Sequence, residues 1–129
     1  MKYLSLLMIL SIFCIMCTRE EVTYFCHLYG YLKDITDSTG IDSMRIDIYD
    51  IDPGQTNQSR IRTIISETRD SISGFFELDS VCWGTSQMQG IGYVTIRIDS
   101  TKNPNYPNKI WQPDLHTAVD TIELYIGQL

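Results

Sequence analysis

The stretch MRIDIYDI, residues 44–51, decides the fold class. In an extended chain Met44, Ile46 and Ile48 fall on one face, and Arg45, Asp47 and Tyr49 on the other. A period of two is the signature of a half-buried strand. The same period recurs on both sides of it. IRTIISETRD, residues 61–70, sets Ile61, Thr63 and Ile65 against Arg62, Ile64 and Ser66, and the first set is expected to face inward. GFFEL, 74–78, sets Phe76 and Leu78 against Phe75 and Glu77. YVTIRID, 93–99, sets Val94, Ile96 and Ile98 against Tyr93, Thr95 and Arg97. DTIELYI, 120–126, sets Ile122, Leu124 and Ile126 against Thr121, Glu123 and Tyr125. Upstream, VTYFCHLYGYLKD, 22–34, carries Cys26, Leu28 and Leu32 on one parity. The runs are separated by segments rich in Asp, Ser, Gly, Asn and Pro, the residues of turns. No window shows a helical period. Strands with one apolar face each must cover one another, so the expectation is all-β: a single antiparallel β-sandwich of about seven strands.

The N-terminus is of another kind. From Tyr3 to Cys17 no residue is charged, with Lys2 ahead and Arg19, Glu20 and Glu21 directly after. Some fifteen residues rise about 22 Å as a helix, short of the ~30 Å hydrocarbon core of a bilayer. One Lys followed by a short apolar run fits a secretory signal. The segment resembles a bacterial lipoprotein signal, in which the cysteine ending the run is acylated and becomes the first residue after cleavage. Cys17 is then the lipidation site, although Cys14 and Met16 stand where the family prefers Leu and a small residue. The resulting division is a signal over 1–16, a tether over 17–21 and the sandwich over 22–129. Thr18-Arg19-Glu20-Glu21 resembles a surface-export signal of some Gram-negative lipoproteins. The expected location is the cell envelope, as an outer-membrane lipoprotein, with the periplasmic or surface face left open.

Composition narrows the partners. The formal net charge is −6, and loss of the signal removes Lys2 and no acid. A chain this acidic offers no basic patch to neutralise phosphates, so nucleic acid is not an expected partner. The expected partners are a membrane, through the N-terminal lipid, and an envelope protein or glycan. About 110 residues suffice for one core and not for two. Once Cys14 leaves and Cys17 is acylated, Cys26 and Cys82 remain as a candidate disulfide. Such a bridge would close a loop of ~57 residues and stabilise by roughly 4 kcal/mol in the chain-entropy model. The alternative is a pair of free thiols.

Particular residues then narrow the fold. Leu28-Tyr29-Gly30-Tyr31-Leu32-Lys33-Asp34, Thr39-Gly40 and the strand ending Ile46-Asp47-Ile48 resemble the opening of carboxypeptidase regulatory-like domains. Thr68-Arg69-Asp70 with Gly74-Phe75-Phe76, and Tyr93-Val94-Thr95-Ile96, continue the likeness. The resemblance implies a transthyretin-like sandwich and specifies fold more than function. Asp34 and Asp70 are expected to close turns through side-chain bonds to backbone N–H groups. Two active relatives of such sandwiches are not matched. Hydroxyisourate hydrolases end in a Tyr-Arg-Gly-Ser tail, and this chain ends IELYIGQL. Pilin-type domains carry a Lys–Asn isopeptide bond, yet here Lys33 has outward parity and the last strand has no Asn.

No catalytic constellation is legible, and no cofactor or metal is expected. His27 and His116 are the only histidines, and neither has a second ligand at metal spacing. Asp37, Asp42, Asp50 and Asp52 surround two loops without a calcium-loop spacing, so they read as solvated turn acids. The long connection from Asp99 to His116 holds Tyr106 and Trp111. With Trp83 in another loop, these two could form an aromatic platform for a sugar ring, or fold back as lids over the core. Repeated Asp-Ser pairs resemble an O-glycosylation pattern, and are also ordinary turn composition. The expected function is a non-enzymatic, lipid-anchored interaction module, with a carbohydrate-binding lipoprotein as the alternative and a hydroxyisourate-hydrolase-like enzyme as a distant third.

Overall fold

The computed structural model describes residues 20–52 and 58–129. The signal, Cys14, Cys17 and most of the tether lie outside the described residues. Those described contain no helix and form eight strands: β1 (Thr23–Asp34), β2 (Arg45–Ile51), β3 (Ser59–Ile65), β4 (Glu67–Arg69), β5 (Ile72–Thr85), β6 (Thr95–Ile98), β7 (Lys109–Trp111) and β8 (Val119–Ile126). They divide into two four-stranded sheets, ordered β4-β5-β1-β8 and β3-β2-β6-β7.

One core lies between the sheets. Cys26, Leu28 and Leu32 of β1, Phe76 and Val81 of β5, and Leu124 and Ile126 of β8 come from the first. Ile46 and Ile48 of β2, with Ile96 and Ile98 of β6, come from the second. These are the inward parities expected from alternation, and burial of that apolar face stabilises the two layers. The glycines of the T-G and G-x-F segments meet where β1 ends. A Cβ at Gly40 would stand 2.0 Å from the Ser73 carbonyl oxygen. Gly74, at φ +79°, would place one 2.2 Å from the Leu32 carbonyl oxygen. Only a residue without a side chain fits either place.

The structure corrects the sequence reading at four points. First, β8 runs parallel to β1, from His27 beside Val119 to Asp34 beside Ile126, so the sheets are not wholly antiparallel. Second, the strands number eight, because β4 and β7 are three-residue pieces too short to show a period. Third, β3 is turned over: Ile61 and Ile65 are exposed, while Arg60, Arg62 and Ile64 face inward. Pairing with β2 decides this, since Ile46 opposes Ile64, Ile48 opposes Arg62 and Asp50 opposes Arg60, and opposed residues share a face. Fourth, Trp83 is a strand residue of β5 rather than a loop residue.

Candidate functional site

Five titratable side chains, His27, Glu67, Arg69, Glu77 and Asp79, line an open cleft of about 560 Å³ beside β3, β4 and β5. Its floor is made by a tight hairpin. Asp70 and Ser71 both have positive φ, 50° and 66°, as the two central residues of a type I′ turn require. The turn pairs Arg69 with Ile72 and Glu67 with Phe75. The Arg69 guanidinium then lies over the Phe75 ring, 4.2 Å from its centroid. It donates to Glu67, at 2.8 Å, and to Glu77. Glu77 also meets His27 Nε2 at 2.6 Å, while His27 Nδ1 is 3.3 Å from Asp79. Arg69, and after it His27, hold the Glu77 carboxyl below its usual range.

A bulge aims His27 into this group. Cys26 pairs with Val81 and Leu28 with Leu78, so two residues of β5, Asp79 and Ser80, stand opposite His27 alone. Ser80 takes a positive φ of 54° there. Two arginines from the other sheet accept the task of pairing the displaced carbonyls. Arg60 Nη2 donates to Ser80 O at 2.6 Å, and Arg62 Nη1 donates to Asp79 O at 2.8 Å. Both also bind Asp50, whose carboxylate has no solvent exposure: Arg60 Nε at 2.7 Å and Arg62 Nη2 at 3.0 Å. The Cys82 amide completes the set, donating to Asp50 at 2.8 Å. Asp50 is therefore a buried ion joining the two sheets, not a solvated turn acid. Its bonds raise Arg60 above its usual range, whereas burial lowers Arg62. This network was missed in the sequence, although Asp50 and Asp52 recur at the same spacing as Arg60 and Arg62.

Two other acids of that group, Asp37 and Asp42, belong to separate turns. Asp37 accepts from Thr39 N at 2.9 Å, and Asp42 accepts from Gly74 N at 2.6 Å and from the Thr68 hydroxyl. Among the described residues no three His, Cys, Asp or Glu side chains gather as a metal-binding group. Asp34 closes its turn as expected, accepting from Thr36 N at 2.8 Å. Asp47, on the outer face of β2, is nevertheless buried, and binds Lys102 Nζ at 2.7 Å and the Thr63 hydroxyl at 2.6 Å. Lys33 is paired with Glu123 at 2.5 Å, and His116 lies 3.3 Å from Asp114.

Of the two alternatives for Cys26 and Cys82, the structure has free, buried thiols and no bridge. Cys26 faces Val81 and joins the core, while Cys82 faces Phe25 and lies outside that cluster. Adjacent positions on paired strands thus send the two sulfurs to opposite faces of the sheet. Burial first, and then Asp120, pushes the Cys26 thiol up to about 11.

The three candidate platform residues are not gathered. Trp83 stacks on Tyr24, with ring centroids 4.9 Å apart. Tyr106 lines a depression with Asp42, Asn103 and Pro104, and its hydroxyl accepts from Gln128. Trp111 lines another, with Pro113 and Ile122. All three are half-buried against the core.

Comparison with known proteins leaves this geometry to speak for itself. No protein-family model matches the chain, and no curated protein matches it. A crystal structure of a 9R-lipoxygenase from Cyanothece PCC8801 is similar over 86% of this chain at 16% identity. The match spans 18% of the lipoxygenase at a TM-score of 0.43.

Proposed function

We propose that the chain is a lipid-anchored, non-enzymatic interaction module of the cell envelope, with a transthyretin-like sandwich of the carboxypeptidase regulatory-like kind. The observation that carries this reading is the charge-free run from Tyr3 to Cys17, which ends on a cysteine six residues before the first strand at Thr23. Two sheets sharing one core support the sandwich, and the contact of Gly40 with Gly74 supports a structural role for the family motif. The two histidines face carboxylates rather than a hydroxyl or thiol, which supports binding over turnover. Its partner is an envelope protein or a glycan. Because Tyr106 and Trp111 line separate depressions, a stacked sugar platform is the weaker reading.

The anchor is tested by Cys17→Ala in the bacterial host. The substitution is expected to release the chain from the membrane fraction and abolish labelling by a clickable fatty acid. Labelling that persists would sink the proposal.

A further inference from the structure

The chain enters the domain at a pole that also displays exposed apolar side chains. Val22 is 54% exposed, Met88 66% and Ile91 69%. Backbone pairing ties Val22 to the loop that carries the other two: Ser86 N donates to Val22 O at 2.8 Å, and Val22 N donates to Ser86 Oγ at 3.0 Å. From Ser80 to Ile96 the sequence carries no charged residue, in a chain whose residues are 20% charged. The loop holds its own backbone bonds. Thr85 N donates to Met88 O at 2.7 Å, Met88 N donates to Thr85 Oγ1 at 3.2 Å, and Gly84 pairs with Gln89. The amides of Thr85, Ser86 and Met88 are thereby paired.

We infer that this pole is a bilayer-docking surface, with Val22, Met88 and Ile91 entering the headgroup boundary of the membrane that holds the lipid on Cys17. The inference rests on the lipid-anchor reading above. Val22 lies five positions after Cys17, a span of at most about 18 Å, so an anchored chain has this pole within reach of the headgroups. Glu20 and Glu21 stand at the same entry point. Attraction to anionic lipid is therefore not the driving force, and the surface fits zwitterionic lipid through apolar contact. Three side chains bind weakly on their own, so their role is to orient an already tethered domain.

The test places a probe at each end of the domain. The processed, lipidated chain carrying Met88→Cys, Ile91→Cys or Ile35→Cys is labelled with an environment-sensitive fluorophore and reconstituted into vesicles of brominated phosphatidylcholine. Ile35 is 62% exposed but follows the far end of β1, and twelve strand residues span about 40 Å. In the processed chain Cys14 has left with the signal and Cys17 is acylated, and Cys26 and Cys82 are buried, so labelling goes to the introduced thiol. Quenching at positions 88 and 91 is expected to exceed that at 35 about twofold or more, since docked side chains lie some 5–10 Å into the boundary. It is expected to persist at high salt. Adding Met88→Asp and Ile91→Asp to a chain labelled through Val22→Cys should remove quenching at 22 while the chain stays with the membrane. Membrane-bound chain with equal quenching at 35, 88 and 91 overturns the docking alone. A blue-shifted but unquenched label at 88 also overturns it, in favour of a protein partner. Chain recovered in the soluble fraction overturns the anchor, and the docking with it.

Discussion

Two polar networks of similar layout sit back to back across β5. In each, one carboxylate bridges two basic side chains: Asp50 between Arg60 and Arg62, and Glu77 between Arg69 and His27. The first lies between the sheets, with its carboxylate wholly withdrawn from water and a backbone amide as a further donor. The second lies in the open cleft, where water competes for every charge. A similar layout therefore has different consequences. A buried ion must be fully paired or it destabilises, whereas an exposed pair is screened and contributes little. The inner network staples two layers, and the outer one positions surface charge.

The largest expected effect comes from breaking the inner network. Asp50→Ala leaves two half-buried guanidinium groups and the Cys82 amide without their acceptor. It should lower stability by roughly 3–5 kcal/mol, read as a shift of the urea midpoint. If the loss reflects stranded charge, replacing Asp50, Arg60 and Arg62 together by Leu, Met and Met should recover much of it. Failure of the triple variant to recover would mean that the arginine bonds to the Asp79 and Ser80 carbonyls matter more than the ion pairs.

An intermediate effect is expected at Asp47, which is buried but lies on the outer face. Burial alone would raise its pKa, yet the bonds from Lys102 and Thr63 outweigh this and leave it below the usual range. A carboxylate lowered on folding contributes stability above its unfolded value of about 3.9, and that contribution is lost as pH falls through the folded value. Lys102→Met should cost about 1–3 kcal/mol at neutral pH, because a buried acceptor loses its charged donor. It should also flatten the loss of stability below about pH 4, measured by urea titrations at several pH values. A variant that keeps the full acid sensitivity would assign it elsewhere.

The smallest effect is expected from Glu77→Gln, which keeps the shape of the outer network and removes its bridging charge. The unfolding midpoint should not move resolvably, because solvent screens the pairs at this surface. A shift comparable to that of Asp50→Ala would erase the distinction between the two networks.

How much was legible follows from what alternation encodes. Leu28, Ile46, Ile96 and Leu124 were placed correctly because each sits in a run whose apolar residues keep one parity. In β3 Ile appears on both parities, at Ile61 and Ile65 and again at Ile64, so hydrophobicity could not choose a face. The choice was made by Asp50, which needs cations opposite it. The candidate site was less legible still. His27 reads as a lone surface histidine, and its carboxylates lie fifty and more residues away, brought to it by a bulge that no local pattern announces.

By itself the sequence determined that this is an all-β chain with its apolar parities in β1, β2, β5, β6 and β8, and that an uncharged run ending at Cys17 stands ahead of it. Side-chain period and charge are local properties, read a few residues at a time. Only the tertiary structure decided that β8 lies parallel to β1, that β3 turns its arginines inward, that Cys26 and Cys82 face apart, and that Val22 meets the loop carrying Met88 and Ile91. Each of these is a matter of which distant strand becomes a neighbour and in what register. Satisfying a buried charge and closing a common core settle such pairings over the whole chain at once.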